Sequence, residues 1–164
     1  MFTIHLTTFI QAPIDRVFDL SRSINLHKIS TAHTHEQAIE GVTSGLINEG
    51  ESVTWQAKHV FKERKFTSKI TQMLRPDSFT DEMTQGDFKR FRHEHHFKQT
   101  NNGTIMIDLV HFEVPYGGLG VIFTKIYLYR YLKNLLIHRN EIIRQYAESA
   151  KWKAILLDKI AIPA

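Results

Sequence analysis

Residues 91–98, FRHEHHFK, place His93, His95 and His96 within four positions, between Phe91 and Phe97. In an extended strand, residues two apart share a face. His93 and His95 therefore point the way Phe91 and Phe97 point, toward the core, and Arg92, Glu94 and His96 point to solvent. Two imidazoles side by side inside a protein support three kinds of chemistry. They could chelate a divalent ion, since a His-x-His pair on a strand suits zinc, with a third ligand from His59 or Asp81. One of them could act as a general base, its tautomer fixed by Asp81 or Asp108. Or both could be hydrogen-bonded to those carboxylates as the polar wall of a pocket. Two ligands of four make a weak metal motif, so neither a metal nor a cofactor is expected.

The elements that must position these groups follow from hydrophobic periodicity. Phe2, Ile4 and Leu6 alternate with Thr3, His5 and Thr7, which predicts a strand over 2–10. APIDRVFDLS predicts a short helix with Val17, Phe18 and Leu20 on its apolar face, and a second short helix lies around Ile24–Ile29. EGVTSGLINEGE reads as turns. A meander of strands follows. Val53, Trp55, Ala57, His59 and Phe61 share one face of the first, and Phe66, Ser68 and Ile70 one face of the second. Phe79, Asp81 and Met83 share a face, as do Phe91, His93, His95 and Phe97. NNG at 101–103 marks a hairpin turn, and the next strand, TIMIDLVHFEV, has two apolar faces: Met106, Asp108, Val110 and Phe112 are assigned inward, although the pattern alone does not decide between the faces. After PYGGLG, apolar residues at three- and four-residue spacing, from Ile122 through Leu132, Leu136 and Ile143 to Ala147, predict one long helix over about 119–149. The three glycines lack dinucleotide-loop spacing and follow an antiparallel strand, so they are read as a sharp entry into that helix.

The order is strand, two short helices, antiparallel strands and a long helix. A curved antiparallel sheet has one dry face, and the long helix is the element left to cover it. A strongly bent sheet around one helix leaves room for a ligand. Trp55, Phe79, Phe91 and Phe112 are the candidate apolar walls. His59, Asp81, Met83, His93, His95 and Asp108 complete the candidate binding set, with His93, His95, Asp81 and Asp108 as the catalytic candidates.

Composition narrows the classes. The 164 residues suit one domain with one sizeable core. There are no cysteines, which removes disulfides, thiolate metal sites and cysteine nucleophiles and fits a cytoplasmic location. A net charge of +4, with 17 acidic residues interleaved among 21 basic ones, does not indicate a nucleic-acid partner. MFTIHLTTFI does not read as a secretory signal, and no window is apolar enough for a membrane span. Lys125, Arg130, Lys133, Arg139, Arg144 and His138 on the long helix read as a solvated face. With Trp152, Lys151, Lys153 and Leu156 of the tail they also make peripheral contact with an anionic membrane a candidate role. Docking of the tail on its own domain or on a second subunit is the alternative. Monomer and homodimer both remain open.

APIDRVFDL, VTWQAKH, SFTDEMTQGDFKRFRHEHHF and VPYGGLG before a long helix resemble the START-like superfamily, also called SRPBCC or Bet v 1-like, in its bacterial polyketide cyclase/dehydrase-like branch. The most specific stretch is 79–97, with Phe79, Asp81, Gly86, Phe88, Phe91, His93, His95 and Phe97. Met83 departs from it, standing where related sequences carry glutamine. The resemblance spans about residues 2–147. It implies an α+β helix-grip fold, a curved seven-stranded antiparallel sheet wrapped around a long C-terminal helix, with two short helices after the first strand. It implies an elongated cavity for lipids, polyketides or other hydrophobic small molecules. A ligand-binding domain over 1–149 and an amphipathic tail over 150–164 are expected. The function expected is hydrophobic ligand binding. The alternative is a cyclase or dehydratase working through an inward histidine with an aspartate partner.

Overall fold

In the computed structural model, which describes residues 1–59, 62–114 and 120–157, seven antiparallel strands form one sheet. They are β1 (Phe2–Ile10), β2 (Gln37–Gly41), β3 (Ser52–His59), β4 (Lys62–Leu74), β5 (Ser78–Gln85), β6 (Arg90–Thr100) and β7 (Gly103–Glu113). The spatial order is β1-β7-β6-β5-β4-β3-β2, so β1 pairs with the last strand and the rest form a meander. Between β1 and β2 run α1 (Ile14–Ser21), α2 (Ile24–Ser30) and a single 3-10 turn (Ala32–Thr34). After β7 come α3 (Gly120–Ala147) and the short α4 (Trp152–Leu156). This is the helix-grip arrangement.

Each element has a local cause. Pro13 caps α1 with extended dihedrals, and Asp15 sits in its first turn, where the helix dipole favours an acid. The Ser23 hydroxyl accepts the Leu26 N–H and starts α2. The strand β2 was not assigned from the sequence, and only its last two residues, Glu40 and Gly41, fall in the stretch that reads as turns. Its five residues are mostly exposed and it pairs only with β3, so no buried alternation marks it. The bounds of α3 fall inside the expected 119–149. Pro115 to Leu119, with Gly117 and Gly118, lie outside the described residues.

Two apolar clusters hold the sheet to the helices. One gathers Ile10, Phe18, Trp55, Phe79, Phe97, Met106, Ile143 and Ala147 beneath α1, α2 and the end of α3. The other gathers Ile4, Val110, Phe112 and Leu136, with Phe2, Leu6, Phe88, Phe91, Tyr129 and Leu132 partly buried around them. Phe18 makes edge contacts with Phe79 and Phe97 at 5.5 and 5.4 Å, which seats α1 on the sheet. The described part of the tail, residues 150–157, docks on the domain through α4. Trp152, Ile155 and Leu156 pack against the first cluster, and the Arg16 guanidinium lies 4.5 Å over the Trp152 ring. No described helix is long and apolar enough to cross a membrane.

Candidate functional site

A layer of ionisable groups separates the two clusters. Along β6, His93 and His95 lie between Phe91 and Phe97. Along β7, Asp108 lies between Met106 and Val110. On α3, Asn140 lies between Leu136 and Ile143. Strand register brings the groups together. Asp81 of β5 stands opposite His93, and Asp108 of β7 stands opposite His95. The central strand carries both imidazoles and each neighbour carries one carboxylate.

The bonds run along the diagonals of this square. His93 Nε2 donates to Asp108 Oδ1 at 2.9 Å, and His95 Nε2 donates to Asp81 Oδ2 at 3.1 Å. The remaining nitrogens also face carboxylates: His93 Nδ1 is 3.8 Å from Asp81 Oδ2, and His95 Nδ1 is 3.1 Å from Asp108 Oδ1. The last approach is close but poorly angled, so His95 Nδ1 is buried with no hydrogen bond. The two rings lie 3.7 Å apart between centroids, and Phe79 stacks on His95 at 4.1 Å.

Helix α3 closes the site. Asn140 Nδ2 donates to Asp108 Oδ2 at 2.7 Å and to Thr8 Oγ1 on β1 at 3.2 Å. Arg139 Nη2 donates to the Ser21 carbonyl of α1 at 2.7 Å, and its Nη1 lies 3.7 Å from Asp108 Oδ1. Arg139 is therefore turned inward, contrary to the solvated face expected for the helix charges. Asn140 and Thr8 were not singled out in the sequence either. The signal for Asn140 was there: it is a polar residue four after Leu136 and three before Ile143, in the middle of the apolar stripe.

Burial alone would push the Asp108 carboxyl up. Its bond to His93, the close approach of His95, and the charge of both rings outweigh that and hold it well below the usual carboxylate range. Asp81 shows the same balance, burial against the His95 bond and the charges of His93, His95 and Arg139, with a net lowering. Burial, reinforced by the neighbouring His95, lowers His93 despite its carboxylate partners. The site thus holds two carboxylates that stay ionised and at least one imidazole that stays neutral near pH 7.

The other candidates are placed as follows. Trp55 is buried and stacks on His27 at 4.1 Å between centroids. Phe79 belongs to the first cluster, and Phe91 and Phe112 to the second. Met83 is half-buried opposite Ser68 on β4. His59 ends β3, and its side chain lies outside the described residues, as does Phe61. His96 is turned to the other face, beside Glu94 at 3.3 Å. Asp81, His93 and His95 each offer a donor atom within 4.8 Å of the others, the one such trio of metal-ligating residues among the described residues.

Among solved structures, the chain is similar to TTHA0849 from Thermus thermophilus, with a TM-score of 0.66 and 16% identity over 87% of this chain and 97% of that one. It is similar to ginseng major latex-like protein 151 from Panax ginseng, with a TM-score of 0.60 and 15% identity over 90% of this chain and 98% of that one. It also matches the di-domain ARO/CYC StfQ of the steffimycin biosynthetic pathway, with a TM-score of 0.67 and 12% identity over 89% of this chain and 50% of that one. At such identities the likeness is one of fold. No curated protein sequence matches the chain. The family model described as polyketide cyclase / dehydrase and lipid transport matches residues 10–136, from the end of β1 into the middle of α3 and across the whole ionisable layer of the sheet. The chain belongs to this family, within the START-like (SRPBCC) superfamily.

Proposed function

We propose that this protein binds a hydrophobic small molecule, lipid- or polyketide-like, between the sheet and α3, with the ionisable layer meeting the ligand's polar end. One observation carries the reading. The apolar cluster between sheet and α3 keeps Phe88, Phe91, Tyr129 and Leu132 only half-buried, and it ends on the layer formed by Asp81, His93, His95 and Asp108. Partly exposed aromatic walls with a few convergent polar groups are the usual make-up of a small-molecule site. The family description, which includes lipid transport, supports the same class. Titration with a fluorescent fatty-acid analogue tests it. One probe should bind per chain, and Phe91→Ala should weaken binding about 10-fold, from the apolar contact a phenyl ring supplies. Absence of saturable binding by the wild type would remove the reading.

A second reading is enzymatic. Each imidazole is oriented by a carboxylate, the arrangement a general base requires. In this reading His93 or His95 removes an acidic C–H proton in the cyclisation or dehydration of a polyketide-like chain. His93→Ala and His95→Ala should then abolish turnover of such a substrate while the fluorescent probe still binds. Full turnover in both variants would exclude it.

A further inference from the structure

We propose that Asp81, His93 and His95 form a binding site for a single zinc ion, with Asp108 as the outer carboxylate that orients both imidazoles.

The distances fit. Zinc bound at about 2.0–2.1 Å in tetrahedral geometry holds its ligand atoms about 3.3 Å apart. Asp81 Oδ2 lies 3.1 Å from His95 Nε2 and 3.8 Å from His93 Nδ1. These two separations bracket the required edge, and all three donor atoms lie within 4.8 Å of one another, so the two rings must draw together to seat an ion. Two histidines and one carboxylate are also the donor set of open zinc sites, which keep a fourth position for water. Asp81 is the most exposed of the three, with its side chain 17% exposed against 8% and 2% for His93 and His95, so the ion and its fourth ligand reach the site from that side.

The orphaned nitrogen, His95 Nδ1, points to the same ion. With no ion present, the proton on His95 Nε2 is held by Asp81, so in the neutral ring the Nδ1 lone pair faces the ionised Asp108 oxygen at 3.1 Å. That contact is repulsive, and it is buried. Zinc at Nε2 moves the proton to Nδ1, which turns the contact with Asp108 Oδ1 from repulsive to attractive and lets a rotation of the ring close a hydrogen bond there. His93 already has the matching arrangement, with Nε2 donating to Asp108 and Nδ1 turned toward Asp81. Both rings would then show the carboxylate–histidine–metal relay that fixes tautomer and ring orientation at zinc sites. Asp108 is in turn fixed by Asn140 at 2.7 Å. All four groups stand on adjacent strands rather than loops, so the site is held rigidly.

The test uses the full chain after treatment with EDTA. Zinc titration by calorimetry, and the visible absorption of added cobalt(II), should show one ion per chain in tetrahedral coordination. Asp81→Asn and His95→Gln should each lower zinc affinity about 100-fold, and Asp108→Asn about 10- to 100-fold. His96→Gln, on the other face of β6, should change nothing. Should the cluster variants unfold, 15N NMR of the wild-type histidines decides. Zinc must shift His93 and His95, with the His95 proton on Nδ1, and leave His96 and His111 unmoved. No retained ion, equal affinity in Asp81→Asn and His95→Gln, or shifts at His96 and His111 instead would overturn the proposal.

Discussion

His95 stands opposite Asp108 in the β6–β7 ladder, yet its good hydrogen bond goes the other way, to Asp81 on β5 at 3.1 Å. His93 does the reverse: it stands opposite Asp81 and bonds to Asp108 at 2.9 Å. The crossed pattern ties three strands together through side chains. It also couples both imidazoles to both carboxylates, so a change at one residue is felt by the other three.

Asp108 should be the most costly member to remove. It is fully buried and lies against His93, His95, Asn140 and Arg139. Asp108→Ala leaves His93 Nε2–H without its acceptor, takes one acceptor from Asn140 and removes the charge facing Arg139 in a dry site, and breaking a buried pair in this way costs about 3–5 kcal/mol. Urea unfolding monitored by circular dichroism should show that loss. A change under about 1 kcal/mol would mean that water replaces the carboxylate and that the layer is wet.

Acidification should destabilise the metal-free protein in two steps. The folded state lowers His93 below its ordinary value of 6.5, so the unfolded chain binds more protons as pH falls through that value, and stability drops. The folded state also lowers Asp81 and Asp108 below 3.8, so their contribution is complete above that pH and is lost as pH falls through their folded values. Unfolding midpoints in EDTA from about pH 8 to about pH 2 should fall, and His93→Gln should flatten the upper step. A midpoint that rises on acidification would contradict the assignment.

Asn140 links α3 to β1 and β7. Asn140→Leu removes the donor to Asp108 Oδ2 and Thr8 Oγ1 and should cost about 1–3 kcal/mol, the penalty of a buried acceptor left unmade. Hydrogen exchange should show faster opening of α3 than of the β6–β7 hairpin. Equal acceleration everywhere would mean that the bond stabilises the whole fold rather than the helix contact.

The Asn101–Asn102 turn sets the register that places His95 against Asp108. Gly103, at its exit, has φ 157°, and a Cβ there would meet the Ile10 carbonyl oxygen at 2.3 Å. Gly103→Val should therefore disturb the β1–β7 edge and the hairpin together, with a loss of about 2 kcal/mol or more. A slip of one residue would turn Asp108 to the outer face. Loss of the His93 and His95 ring signals from their buried NMR positions would report such a slip.

The fold was legible where burial is one-sided. Alternation marked β1 and β3 to β6, and the 3.6-residue stripe marked α3, because each buries one face against the other; β7 is apolar on both faces, so its inward face was not decided by pattern. The strand β2 was not legible from its own residues, since it is a mostly exposed edge strand. The pairing of Asp81 and Asp108 with the histidines was within reach, because period two places all four on one face. The diagonal bonds were not, since they depend on register and ring rotation. Arg139 was misread because helix spacing gives a side chain's starting direction and not where a long arginine ends, here at the Ser21 carbonyl.

Native mass spectrometry of the freshly purified protein tests the central claim most directly. The expected result is one small apolar molecule carried per chain, released on denaturation, and lost or much reduced in Phe91→Ala. A wild-type protein that carries nothing, and that also takes up no member of a panel of fatty acids and polyketide-like aromatics at millimolar concentration, would contradict a hydrophobic binding function.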